Sequence, residues 1–289
     1  MANIRDQDSW VHGDDHDGAT AKAKKIVDSA VAKARYLMPL QEKYVDVTQA
    51  ALVIGGGVAG IFSALELANM GHKVYLVEKE PSIGGVMAQL DKTFPTNDCS
   101  ACILTPVMVD AGTHPNIEML TYSEIEEVEG YIGNFDVKIK KKQSYVDWKK
   151  CTGCGDCADA CPVRTPNEYN AGLDNRSAAY IHFPQAVPKK AVIDMDACIN
   201  CGGRKIGSET RMSKKTGKPI LAPCERACPA GAIDRSIPVD PEGEIINVQV
   251  GTIVVATGYK VMEKENFKSL APDSANVLTA LQLERLISA

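Results

Sequence analysis

No stretch of this sequence carries the run of about 18 apolar residues that a membrane-spanning helix requires. The N-terminus, Met1-Ala-Asn-Ile-Arg-Asp-Gln-Asp, lacks the hydrophobic core of a secretory signal. Basic charge is also short: 32 Lys and Arg stand against 37 Asp and Glu, for a net charge of −5. That excludes the basic footprint of a nucleic-acid-binding protein. No Ser/His/Asp constellation and no acid–base pair points to hydrolytic chemistry. A soluble cytoplasmic protein is the expectation. In a reducing compartment, its 10 cysteines are metal ligands or redox groups rather than structural bridges.

Eight of them form two runs. The first reads Cys151-Thr-Gly-Cys154-Gly-Asp-Cys157-Ala-Asp-Ala-Cys161-Pro162. This is the bacterial ferredoxin spacing, C-x-x-C-x-x-C-x-x-x-C-P. A cubane cluster needs four thiolates converging on one point. Cysteines three apart in a tight loop supply three of them, and Gly153 and Gly155 let the backbone fold close. The second run is Cys198-Ile-Asn-Cys201, then Cys224-Glu-Arg-Ala-Cys228-Pro229, with residues 202–223 inserted before its third cysteine. In two-cluster ferredoxins the fourth cysteine of each run serves the other cluster. The spacing therefore predicts two 4Fe-4S clusters, one on Cys151, Cys154, Cys157 and Cys228, the other on Cys198, Cys201, Cys224 and Cys161. Zinc also binds C-x-x-C pairs, but it has no use for a third cysteine three residues on or for the repeated Cys-Pro. A disulfide framework suits small secreted domains instead.

Upstream lies a nucleotide motif. Val45–Ile54 reads as a strand running into Gly55-Gly-Gly57-Val-Ala-Gly60, with a helix over Ile61–Met70 and Gly71 at its C-cap. His72–Glu78 is a second strand ending on an acid. This is G-x-G-x-x-G in a βαβ setting. Gly55 makes the turn, Gly57 lets backbone N–H groups reach a pyrophosphate, and Gly60 permits close packing. The helix N-terminus favours phosphate charge, and Glu78, with Lys79 beside it, meets the adenosine ribose. Gly84-Gly85 and the Ala256-Thr257-Gly258 strand end resemble the FAD domain of thioredoxin-reductase-like flavoproteins. FAD is thus the expected dinucleotide, with Gly85, Thr257 and Gly258 in its site.

The remaining pair, Cys99-Ser-Ala-Cys102, sits on a loop or helix start. It reads as a redox dithiol beside the flavin, as two ligands of a third iron–sulfur cluster, or as buried thiols. No spare cysteine completes such a cluster. Residues 1–18 read as a loose polar arm with Trp10 as its one large apolar group. Ala19–Met38 has helical apolar spacing and ends before Pro39. Asn116–Tyr122 and Asn134–Lys142 read as strands, and residues 164–190 as a polar insertion between the cysteine runs. The basic stretch from Gly202 to Pro223 reads as a solvated loop, or as a dock for an acidic electron carrier.

The expected fold is α/β: a Rossmann-like FAD-binding domain with an inserted two-cluster ferredoxin (α+β) domain. Its parts are 1–44, an arm and amphipathic helix; 45–144, the first part of the FAD domain; 145–236, the ferredoxin insertion; and 237–289, the returning strands and tail.

The run Gly55–Gly60, the segment Val77-Glu-Lys-Glu-Pro-Ser-Ile-Gly-Gly85 and the segment Gln89–Cys102 resemble the A-type polypeptide of heterodisulfide reductase from methanogenic and related archaea. The likeness continues through Lys150–Cys157 and Phe183–Pro188. It implies an FAD-containing iron–sulfur oxidoreductase component. Its partners would be B- and C-type subunits, a hydrogenase or formate dehydrogenase as donor, and ferredoxin. In that family the flavin splits electron pairs between ferredoxin and the heterodisulfide of coenzymes M and B. The family also places a further cluster near the pair matching Cys99 and Cys102, and usually carries a cysteine where this chain has Asp8. Family members continue past the Ala-Thr-Gly strand, so the resemblance implies a second polypeptide completing the flavin pocket. Two rival readings remain: a cluster-only carrier with a vestigial flavin site, and a flavin-linked thiol oxidoreductase using Cys99 and Cys102.

Overall fold

A computed structural model describes all residues except 43, 202–211, 214, 218–219, 236–242, 275 and 289. Of the basic stretch in 202–223, residues 202–211, 214 and 218–219 lie outside the described residues. The chain divides into two units, Met1–Val45 and Asp46–Ala289.

In the first unit the expected loose arm is structured in part. Arg5–Ser9 form a helical turn of π type. Helix α1 spans His16–Ala34, so it starts and ends earlier than the apolar spacing alone suggests. The early start follows from its cap: the Asp15 carboxylate accepts the Gly18 N–H at 2.9 Å. Trp10 remains 70% exposed, with the Arg5 guanidinium 5.0 Å from its ring centre.

The second unit is layered around a four-stranded parallel sheet. Its strands are β1 (Ala50–Ile54), β2 (Lys73–Glu78), β3 (Ile117–Thr121) and, returning late in the chain, β7 (Thr252–Val255). They lie in the order β7-β1-β2-β3. Alternate residues of β1 face opposite layers. Val53 packs with Ile61 and Ala64 of helix α2 (Val58–Asn69), and with Leu104 and Met108 of helix α3 (Ser100–Thr113). Leu52 packs on the other face with Val137, Ile139, Val248 and Val250. Those four belong to an antiparallel meander of β4 (Ser123–Tyr131), β5 (Asn134–Lys141) and β6 (Glu244–Val250). Burial on both faces explains the near-continuous apolar character of β1.

The first strand begins at Ala50, not Val45, because the preceding residues are spent elsewhere: the Thr48 N–H reaches Gly133 O and the Asn134 side chain donates to Asp46 O. Strand β4 is an addition to the sequence reading. Lys141, the last residue of β5, pairs with Glu244, the first of β6. The intervening segment thus leaves and re-enters the meander at one point. It carries its own core, including Tyr145, Cys157, Cys161, Ile193 and Ile233.

Residues 164–190 are more than a polar joint. Ala179–Ile181 pair with Ala191–Ile193. Phe183 and Ala186 are buried in the same cluster as α2 and α3. Tyr169 stacks on Phe183 with ring centres 4.9 Å apart, and its hydroxyl donates to Ala88 O at 2.6 Å. Polarity of the segment as a whole hid these few apolar anchors. At the C-terminus, helix α4 (Ala280–Ile287) rests on the same region: Arg285 donates to Asn170 Oδ1 at 3.0 Å and to Gln89 O at 3.2 Å. Among the described residues, no helix is long and apolar enough to cross a membrane.

Candidate functional site

The glycine loop is fixed by contacts no side chain could share. Gly55 has φ +105, and a Cβ there would lie 2.4 Å from Ala256 O. A Cβ at Gly60 would lie 1.8 Å from Gly55 O. These glycines press α2 onto the β1 turn and onto Ala256 and Thr257, which follow β7. Gly57 is different: a Cβ there would meet nothing within 4 Å. It caps the N-terminus of α2 with its space open, which is the cradle a pyrophosphate needs. Gly85 closes in from the side, where a Cβ would lie 2.8 Å from Gly57 Cα.

Glu78 completes this corner. It is 7% exposed, and its two carboxylate oxygens accept the Gly56 N–H at 2.6 Å and the Glu80 N–H at 2.9 Å. Burial pushes its pKa above the ordinary carboxylate value, with the two N–H groups opposing. Gly55, Gly57, Gly60, Glu78, Gly85, Thr257 and Gly258 therefore meet at the C-terminal edge of the parallel sheet, where open α/β folds bind ligands. Lys79 is exposed, its ammonium 3.8 Å from Glu80, and takes no part in the loop's contacts.

The cysteine runs enclose two cavities. One is lined by Cys151, Cys154, Cys157 and Cys228 among small apolar side chains such as Val146, Ala191 and Ile233. The other is lined by Cys161, Cys198, Cys201 and Cys224, with Ala178, Ile193 and Arg235. Local structure explains the grouping. Gly153 (φ +70) and Gly155 (φ +95) curl the first run, and a Cβ on Gly153 would lie 2.5 Å from Lys189 O. A bridge between Val146 and Ile233 then brings the end of the second run beside the start of the first. Each cavity thus has four cysteines among mostly apolar neighbours, the donor set a cubane cluster requires.

Burial, with the sulfurs of Cys151 and Cys154 adding to it, pushes the Cys157 thiol up to about 12. Cys224 is raised as well, again chiefly by burial, while Arg235 pulls it back. Metal binding would have to displace those protons. Arg235, which spacing gave no reason to single out, is 1% exposed. Its guanidinium lies 3.6 Å from Cys198 Sγ and 3.8 Å from Cys224 Sγ.

Cys99 and Cys102 form a disulfide with Cα atoms 5.3 Å apart. Cys99 caps α3, its sulfur accepting the Cys102 N–H at 3.2 Å.

Residues 51–102 match a family model described as FAD dependent oxidoreductase, and residues 144–166 match a 4Fe-4S binding domain. A protein of Archaeoglobus profundus, described as like the A polypeptide of heterodisulfide reductase, is 68% identical over all of this chain and 41% of its own length. The A polypeptide of the H(2):CoB-CoM heterodisulfide,ferredoxin reductase of Methanothermobacter thermautotrophicus is 52% identical, with 100% of this chain and 40% of that protein covered. The iron-sulfur A polypeptide of the CoB–CoM heterodisulfide reductase of Methanocaldococcus jannaschii is 48% identical over the same shares. The chain spans about two fifths of the length of the curated relatives it matches.

Proposed function

The chain belongs to the family of heterodisulfide reductase A-type polypeptides, and from that premise we propose that it holds FAD and two 4Fe-4S clusters in one body as part of an electron-transferring oxidoreductase. FAD supplies exchange of electron pairs, and the clusters supply single-electron steps; the protein sets position and potential. Gly57 and the start of α2 receive the pyrophosphate, and Glu78 accepts hydrogen bonds from the ribose hydroxyls. Gly55, Gly60, Gly85, Thr257 and Gly258 shape the walls, with Lys79 at the rim. Cys151, Cys154, Cys157 and Cys228 hold one cluster; Cys161, Cys198, Cys201 and Cys224 hold the other. The observation that carries this reading is the exchange of cysteines between runs, Cys228 facing the first and Cys161 the second.

The finer role we infer is that of the relatives' names: a component working with ferredoxin and a CoB–CoM heterodisulfide partner. B- and C-type subunits, a hydrogenase- or formate dehydrogenase-type donor and division of electron pairs at the flavin go with it. Anaerobic purification followed by flavin extraction and assays of iron and acid-labile sulfide tests the core of the reading. One FAD and about eight irons per chain are expected. Iron without FAD would leave a cluster-only carrier; zinc in place of iron would end both.

The Cys99–Cys102 disulfide favours a second reading, thiol–disulfide exchange beside the flavin. Substituting both with Ser would abolish thiol turnover and leave iron unchanged. About twelve irons per chain would instead assign the pair to a third cluster.

A further inference from the structure

Arg235 is a buried guanidinium facing sulfur. Its Nη1 lies 3.6 Å from Cys198 Sγ and 3.8 Å from Cys224 Sγ, its Nη2 lies 3.6 Å from Cys198 Sγ, and Asn200 Oδ1 accepts from Nη2 at 2.9 Å. Neutral thiols would be a poor match for a cation so enclosed. Thiolates are a good one, and charge-assisted bonds to them are the strong kind.

The other cavity differs. None of its described lining residues is charged. The nearby ammonium of Lys190 is committed to a carbonyl, donating to Cys151 O at 2.7 Å. Two sites of the same ligand chemistry thus sit in one small core with unlike electrostatics.

We propose that Arg235 sets the two clusters apart in potential, making the one at Cys161, Cys198, Cys201 and Cys224 the more oxidising. This rests on the two-cluster reading above. Adding one electron makes the ligand–cluster unit one charge more negative. A fixed cation beside the sulfurs stabilises the reduced state more than the oxidised, and hydrogen bonds to sulfur act in the same direction. One electron leaving the first site oxidises it and reduces the second, and no proton moves. Arg235 thereby gives the pair a direction. It touches ligand sulfurs rather than reacting atoms, so it is a positioning residue.

The test is a redox titration of the anaerobically prepared full chain, read by electron paramagnetic resonance, with iron counted in every sample. The unmodified chain should carry about eight irons and two distinct midpoints. Fewer irons would defeat the two-cluster reading itself. With the iron count intact, Arg235→Gln should lower only the higher midpoint, by at least tenfold in the reduction equilibrium, or about 59 mV for one electron. Arg235→Lys, keeping the charge but not the fork, should fall between. Should the Gln variant fail to assemble its second cluster, the Lys variant decides: its higher midpoint must fall while the lower holds. Equal midpoints in the unmodified chain, an unmoved higher midpoint, or a shift of the lower one would overturn the proposal.

Discussion

Ser82 Oγ lies 2.8 Å from His182 Nδ1. Ser82 follows Glu78 by four residues, and His182 belongs to the segment between the cysteine runs. One hydrogen bond therefore ties the glycine corner to the cysteine-bearing insertion. It does not act alone: the Ile83 N–H donates to Val187 O at 2.9 Å, and His182 meets both Tyr169 and Phe183 edge-on. This seam fixes the insertion against the dinucleotide corner at a second place, besides its root at Lys141 and Glu244.

The seam carries a pH signature. Burial lowers the His182 pKa below its usual value, with Glu80 opposing and Arg176 assisting. The unfolded ring titrates near about 6.5. As pH falls, the unfolded chain takes the proton first. The stability tied to the neutral ring is complete above that value and is lost as pH drops toward the folded pKa. Urea midpoints should decline from about pH 7.5 to about pH 5.5 in the unmodified chain. His182→Gln should show a shallower decline. An identical slope would remove His182 as its source.

Gly57 and Gly60 stand in one loop and make opposite demands. Alanine at Gly57 fits, since φ is −77° and the space is empty. It fills the volume assigned to the pyrophosphate, so Gly57→Ala should cost at most about 1 kcal/mol of stability while FAD content falls severalfold. Alanine at Gly60 drives a methyl into Gly55 O. Gly60→Ala should lower the thermal midpoint as well as FAD content. Thermal melts beside flavin extraction separate the two; matching losses of stability would contradict the assignment of Gly57.

The features legible in the sequence are those set by short-range geometry. Cysteines three apart and glycines around a βαβ turn constrain only a few neighbouring residues, so their pattern survives without the rest of the fold. Strand β4 escapes a sequence reading because Glu124, Glu126, Glu127 and Glu129 mask its apolar members, Ile125 and Val128, and a bulge between Ile125 and Glu127 breaks the alternation. The depth of Phe183 is equally hidden. Its stretch is polar on average, and burial there comes from α2 and α3 far along the chain. Arg235 lies in no motif; only the closed fold brings it to Cys198, 37 residues away. The early start of α1 is readable from Asp15 as a cap.

Glu78 gives a second pH dependence, of opposite sign in the two states. Burial, opposed by the N–H groups of Glu80 and Gly56, raises its folded pKa, while the unfolded carboxyl titrates near about 4.3. The ligand-free fold holds that proton more tightly, so stability falls as pH rises from the unfolded value through the folded one. Bound ribose reverses the preference, since its hydroxyls donate to a carboxylate. FAD should therefore dissociate more readily as pH falls through the folded pKa. Glu78→Gln should weaken FAD about tenfold, near 1.4 kcal/mol, and flatten that dependence. Equilibrium dialysis across pH measures both; a Gln variant that retains the full dependence would place its source elsewhere.

The two cavities carry the exchange of cysteines between runs that the ferredoxin spacing predicts, and it can be tested. Cys161 stands in the first run but lines the second cavity, and Cys228 closes the second run but lines the first. Cys161→Ser and Cys201→Ser should therefore damage the same cluster. Cys228→Ser should instead group with Cys154→Ser. Each single variant should lose up to about four irons. The double variants decide: Cys161→Ser with Cys201→Ser should lose no more than either alone, because both act on one cubane. Cys161→Ser with Cys154→Ser should lose iron from both sites. Iron assays with electron paramagnetic resonance on the six proteins provide the readout. If Cys161 instead grouped with Cys154, each run would serve its own cluster, and the arrangement of sulfurs around the cavities would not be the arrangement that binds iron.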